Sequence, residues 1–191
     1  MYIDRNSENM IRKVSASFPC IVVYGPRQVG KSTTIDHLFG EQYRKVTLDD
    51  LDDRMLAVNN PKLFLETYGW PVIIDEIQKA PRLLDEIKKA IDNQRLIWLK
   101  ENKPRSLMYI LTGSNRFELQ EGISESLAGR CGVIDMASLS QSEKYGKEGR
   151  LFHPEIRSLL AREKEIQDAF RTRARVFQDI FQGGMPDIVT G

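Results

Sequence analysis

No apolar run in the sequence approaches the roughly 18 to 20 residues that a membrane-spanning helix requires. Its first fourteen residues, Met1 to Val14, are charged and polar and hold no apolar core of the kind a secretory signal carries. An excess of one charge is missing too. Lys and Arg number 28 against 27 Asp and Glu, so the formal net charge is +1 and no global pull towards nucleic acid or an anionic membrane follows. Cysteine is almost absent. The two present, Cys20 and Cys131, lack metal-ligand spacing, and each opens an apolar segment in which a free cysteine behaves as a small hydrophobe; a disulfide between them is the less favoured alternative. The two histidines, His37 and His153, have no partners at metal or catalytic spacing. There is no internal repeat and no low-complexity segment. What is there, 41% hydrophobic and 29% charged residues over 191 positions, suits a globular domain with a sizeable core. A soluble, cytoplasmic, single-domain chain is expected.

Apolar residues at Met10, Ile11, Val14 and Phe18 have helical spacing, and Pro19 ends that pattern. Cys20 to Tyr24 is then a continuous apolar run, as in a strand buried on both faces of a parallel sheet. Ser32 to Phe39 predicts a helix closed by Gly40, and Tyr43 to Leu48 a second strand. Asp49 to Tyr68 reads as helical with a break at Asn60-Pro61. Val72 to Ile74 predicts a third strand, and Pro81 to Leu99 an amphipathic helix with Leu84, Ile87 and Ile91 on one face. Leu107 to Leu111 and Cys131 to Met136 are the fourth and fifth strands. From Pro154 to Gln182 the pattern is helical again, with Leu159, Leu160, Ile166, Phe170, Phe177 and Phe181 available for packing. Strands alternating with helices imply an α/β fold with a parallel sheet covered on both sides.

Gly25-Pro26-Arg27-Gln28-Val29-Gly30-Lys31-Ser32 meets every position of G-x-x-x-x-G-K-[ST], between an apolar strand and a helix. Glycines let amide groups close around phosphate oxygens, and the following helix, with Thr33 in its first turn, turns its positive end to the same anion. Lys31 supplies a mobile charge for the outer phosphates, and the Ser32 hydroxyl suits Mg²⁺. A chance glycine loop is the bland alternative; the flanking strand and helix argue against it. Asp75-Glu76 ends the third apolar strand, the edge of an open α/β sheet where ligands bind. Asp75 is the candidate for Mg²⁺, held through water, and Glu76 for the general base acting on an attacking water. Asn102-Lys103-Pro104-Arg105 lacks the aspartate of a guanine-reading element, which favours ATP over GTP.

Thr112, Ser114 and Asn115, at the tip of the fourth strand, are all candidates to sense a γ-phosphate, with Ser114 and Asn115 ahead; an ordinary turn is the alternative. Arg130 ends the helical segment Glu125 to Arg130. It suits either γ-phosphate charge, in its own or a neighbouring subunit, or a helix terminus. Arg116 is a weaker candidate. Arg157, Arg162, Arg171, Arg173 and Arg175 alternate with Glu155, Glu163, Glu165 and Asp168, the pattern of a solvated face, so nucleic-acid binding is not favoured.

These motifs in succession, with Asp75-Glu76-Ile77-Gln78, Leu111-Thr112-Gly113-Ser114 and Glu125-Ser126-Leu127-Ala128-Gly129-Arg130, resemble a family of bacterial and archaeal AAA-type ATPases that carry a poorly characterised C-terminal domain. Leu48-Asp49-Asp50 and Gly183-Gly184-Met185-Pro186 extend the resemblance over nearly the whole chain. It implies a three-layer P-loop fold with a five-stranded sheet in the order 5-1-4-3-2. It also implies an ATPase core over 1–150 and a helical segment over 151–191, leading into a C-terminal region that this chain lacks and that would bind a further partner. The expected function is Mg²⁺-dependent ATP hydrolysis coupled to an attached domain or partner, with homo-oligomerisation open. The alternatives are an ATP-dependent switch with little turnover and a P-loop small-molecule kinase.

Overall fold

The computed structural model describes residues 2–114, 123, 125–146 and 173–190, which pack as two units, Ser7–Ser138 and a second made of Met1–Asn6 with Leu139–Gly191. In the first, the run Cys20–Tyr24 forms β1, buried at all five positions. It lies between β4 (Tyr109–Gly113) and β5 (Cys131–Asp135), parallel to both. Beyond β4 come β3 (Val72–Asp75) and the edge strand β2 (Arg44–Thr47), giving the all-parallel order β2-β3-β4-β1-β5. Read from the other edge, that is the 5-1-4-3-2 order implied by the resemblance. Alternation along β1 splits the core. Cys20, Val22 and Tyr24 join Phe64, Leu83, Ile87 and Ile91, whereas Ile21 and Val23 join Ile11, Ile35 and Leu38. One face is therefore covered by α3 (Leu51–Asn59), α4 (Pro61–Tyr68) and α5 (Leu83–Lys100), and the other by α1 (Glu8–Ser17) and α2 (Lys31–Phe39). Each such side chain, fully buried, contributes roughly 1.5–3 kcal/mol. On β2 only Val46 is buried, and the exposed Arg44 and Lys45 keep that edge from pairing with another sheet.

Local chemistry explains most boundaries. Asp50 caps α3 by accepting from the Asp52 and Asp53 amides, and Asn60 caps α4 from Leu63 N with Pro61 behind it. This is the Asn-Pro break seen from the other side. Gly40 closes α2 without the left-handed turn that a terminal glycine usually supplies (φ −60°). It is needed for space instead, since a Cβ there would lie 2.5 Å from the backbone carbonyl oxygen of Asp36. Gly132 has the same role on β5, where a Cβ would meet Val14 of α1 at 2.1 Å. Cys20 and Cys131 face each other as register partners of β1 and β5, and both are free thiols. Burial, then the Cys131 thiol, pushes the Cys20 thiol well above its ordinary value, so it stays protonated and unreactive.

The second unit holds α6 (Gln141–Lys144), α7 (Arg173–Gln182) and α8 (Pro186–Thr190). Glu143 organises it. Its Oε1 accepts from Arg5 Nε at 3.1 Å and Asn6 N at 2.7 Å, and its Oε2 from Ser140 N at 2.6 Å, closing a capping box. Tyr145 donates to Asp179 at 2.5 Å. Leu139 N donates to Gly184 O and Lys144 Nζ to Gly183 O, so the Gly183-Gly184 motif is an anchor for this unit. Phe177 and Phe181, expected to pack, are 63% and 93% exposed. The remaining apolar positions named between 154 and 170, with His153, Arg157, Arg162 and Arg171, lie outside the described residues. Among the described residues no helix is long and apolar enough to cross a membrane.

Candidate functional site

The C-terminal ends of β1, β3 and β4 lie side by side, and each delivers a polar element. β1 runs directly into the glycine loop. Gly25 has φ +155°, and a Cβ on it would lie 2.1 Å from the carbonyl oxygen of Met136, just past the end of β5. A side chain is therefore excluded twice over at the start of the loop. Pro26, Arg27 and Gln28 are exposed, Val29 is buried, and Gln28 and Gly30 have positive φ. Gly30 is the left-handed cap of α2, so Lys31, Ser32 and Thr33 form its first turn. Lys31 is buried, with Nζ donating to the loop's own carbonyls at Gly25 (2.9 Å) and Pro26 (2.8 Å). Burial lowers its pKa, against the pull of the Glu76 and Asp75 carboxylates.

Ser32 Oγ donates to Asp75 Oδ2 at 3.0 Å, across 43 residues of chain and over the tip of the intervening β4. From β4, the buried Thr112 hydroxyl donates to the other oxygen, Asp75 Oδ1. Two residues on, Ser114 Oγ donates to Glu76 Oε2 at 3.2 Å. Glu76 itself is left-handed (φ 57°, ψ 45°), a non-glycine outlier of the kind that collects at functional sites. The following 3-10 turn, Ile77–Lys79, brings back the Gln78 amide, which donates to Glu76 Oε2 and to Ser114 Oγ. Lys79 pairs with Asp49, and Leu48 is fully buried, which accounts structurally for Leu48-Asp49-Asp50. A cavity of about 280 Å³ opens beside Ser32, Asp75 and Thr112 and extends to Lys45 and Thr47.

The structure thus brings together the loop, Lys31, Ser32, Asp75, Glu76, Thr112 and Ser114. It divides the three strand-tip candidates by partner: Thr112 holds Asp75 and Ser114 holds Glu76. Asn115 and Arg116 lie outside the described residues. Arg130 does not join the others. It precedes the first residue of β5, roughly 16 Å of strand away from the loop at the opposite rim of the sheet. There it forks onto Asp92 of α5 (2.7 and 2.9 Å) and donates to Ala128 O. Ser126 donates to Asp85 and Arg95 to Gly129 O, so the whole Ser126–Arg130 segment is fastened along α5. Spacing did not single out Gln78; its signal is a polar residue two places after Glu76 in a short turn.

A family model described as an AAA domain matches residues 17–145. Among curated proteins, two uncharacterised proteins, from Mycobacterium tuberculosis and Mycobacterium bovis, are each 28% identical over 139 residues. The match covers 71% of this chain and 29% of those proteins, so the chain spans less than a third of the length of the curated relatives it matches. Among solved structures, a Walker-type ATPase of Pyrococcus abyssi superposes with a TM-score of 0.57 at 16% identity, over 98% of this chain and 66% of its own. At that identity the likeness is one of fold.

Proposed function

The chain belongs to this AAA-domain family, and from that premise we propose that it binds ATP with Mg²⁺ and hydrolyses it, coupling hydrolysis to an attached domain or partner. The observation that carries the reading is the bond from Ser32 to Asp75, which joins a phosphate-loop hydroxyl to a strand-tip carboxylate. Both are hard oxygen donors of the kind Mg²⁺ takes, and Thr112 holds the carboxylate in place. When bound, Mg²⁺ neutralises charge on the outer phosphates.

The chain's own groups do the rest. The loop amides over Gly25 to Gly30 and the first turn of α2, Lys31 to Thr33, surround the phosphates. Lys31 leaves its two loop carbonyls for phosphate oxygens. Glu76 orients the attacking water through Oε1, which carries no hydrogen bond among the described residues, and takes its proton. Ser114 links that carboxylate to the γ-phosphate side of the site, and Asn115 stays a second candidate for that role. Arg130, committed to Asp92 at the other rim, serves a neighbouring copy or α5 itself.

Single-turnover kinetics with Glu76→Gln test the reading. Wild type is expected to release phosphate, and the variant to keep ATP affinity while losing at least about a hundredfold in rate. Tight ATP binding by wild type with no phosphate release would leave the switch reading instead.

A further inference from the structure

Among the described residues, the Gln78 side chain hydrogen-bonds to no backbone group. Its Nε2 donates to Glu76 Oε2 and, at 3.2 Å, to Ser114 Oγ, while Ser114 Oγ donates to the same Glu76 oxygen at 3.2 Å. The three side chains close a ring in which each touches the other two. Gln78 Oε1 is buried with no partner among the described residues. An apolar side chain of the same size would avoid burying an unmatched carbonyl, so packing alone is a poor reason for glutamine here. What glutamine adds is a donor that reaches two acceptors at once. Its place in the turn Ile77–Lys79 sets that reach, because the left-handed Glu76 bends the chain back so that side chains two apart meet.

We propose that Gln78 is a positioning residue that ties Glu76 to Ser114, so that the orientation of the carboxylate follows whatever Ser114 contacts. The tie leaves Glu76 Oε1 as the open oxygen. It also makes the residue at the tip of β4 and the candidate base respond as one unit. The inference rests on the hydrolysis reading above, with Glu76 as base and Ser114 facing the γ-phosphate.

Two measurements test it separately from that reading. In nucleotide-free protein with ¹⁵N-labelled glutamine, the Gln78 side-chain amide, assigned by its loss in Gln78→Ala, is expected away from the exposed glutamines and shifted in Ser114→Ala. An amide at the exposed position and unmoved by Ser114→Ala overturns the tie, whether or not the protein hydrolyses ATP. In turnover assays, Gln78→Ala and the isosteric Gln78→Glu, which loses the donor, are expected to lower kcat at least about tenfold with ATP Kd within about twofold. The double variant Gln78→Ala/Ser114→Ala is expected to be within about twofold of the slower single variant, because both act through one network. A kcat within twofold of wild type, or effects of the two changes that multiply, overturns the positioning role. If wild type has no turnover, the hydrolysis reading falls and so does this role in it, while the amide resonance still decides whether the tie exists.

Discussion

Lys31 is 6% exposed, and its ammonium bonds to two carbonyls of the loop it follows. Removing it takes away both the phosphate charge and an internal brace. Lys31→Ala is therefore expected to weaken ATP binding by about a hundredfold or more, as read by titration calorimetry. Thr112 calls for a different substitution. Its hydroxyl is buried against a carboxylate, so Thr112→Val keeps the shape and removes the bond. Thermal melts should show a loss of about 1–3 kcal/mol, and a higher Mg²⁺ concentration should be needed for ATP binding. The lysine, the serine and the two carboxylates were legible in the sequence, because each is tied to a neighbouring strand or helix by a fixed spacing. The partners Thr112–Asp75, Ser114–Glu76 and Gln78 were not. Those bonds cross between strands, and which strand tips meet depends on β4 standing between β1 and β3, which local spacing does not encode.

For the elements, periodicity placed all five strands, and Asn60-Pro61 marked the join of α3 and α4. The ends moved where backbone bonding decides them. α5 starts at Leu83 rather than Pro81, since turns from Ala80, Pro81 and Arg82 precede it. Glu125 to Arg130 is expected to be helical, but Leu127 to Arg130 forms a turn, and the attachment of Ser126–Arg130 along α5 depends on Asp85, Asp92 and Arg95, far away in sequence. Arg130 and Asp92 are 25% and 40% exposed, so the pair is worth less than about 1 kcal/mol; a double-mutant cycle of Arg130→Ala and Asp92→Ala should measure no more. Packing against glycine is the costlier feature. Gly132→Ala drives a methyl into Val14 and is expected to lower stability by about 1–3 kcal/mol in denaturant titrations, with α1 the element displaced.

At the scale of the whole molecule, ATP that binds only the folded chain stabilises it by mass action. At about a hundred times Kd the gain is about 2.7 kcal/mol, or roughly 5–10 °C in melting temperature for a chain of this size. At the same ATP concentration that gain should fall to about 0.4 kcal/mol or less in Lys31→Ala. Acid acts on the other unit. Burial raises the Glu143 carboxyl, but hydrogen bonds from the Ser140 and Asn6 amides, the Ser140 hydroxyl and Arg5 outweigh it and hold the pKa below its ordinary value. A depressed folded value means that the contribution is full above the unfolded value of about 4.3 and is lost as pH falls through the folded one. Glu143→Gln is therefore expected to destabilise the protein at pH 7, and the gap to wild type should begin to narrow as pH falls below about 4.3 in melts across a pH series. The bonds of Glu143 reach back across 137 and 138 residues, so no local pattern announced them. The alternation of β4 has a further consequence. Thr112 and Ser114, one pleat apart, grip Asp75 and Glu76 respectively, so a single strand acts as the gauge for both carboxylates. A slip of β4 along its neighbours would draw both hydroxyls away from their carboxylates at once.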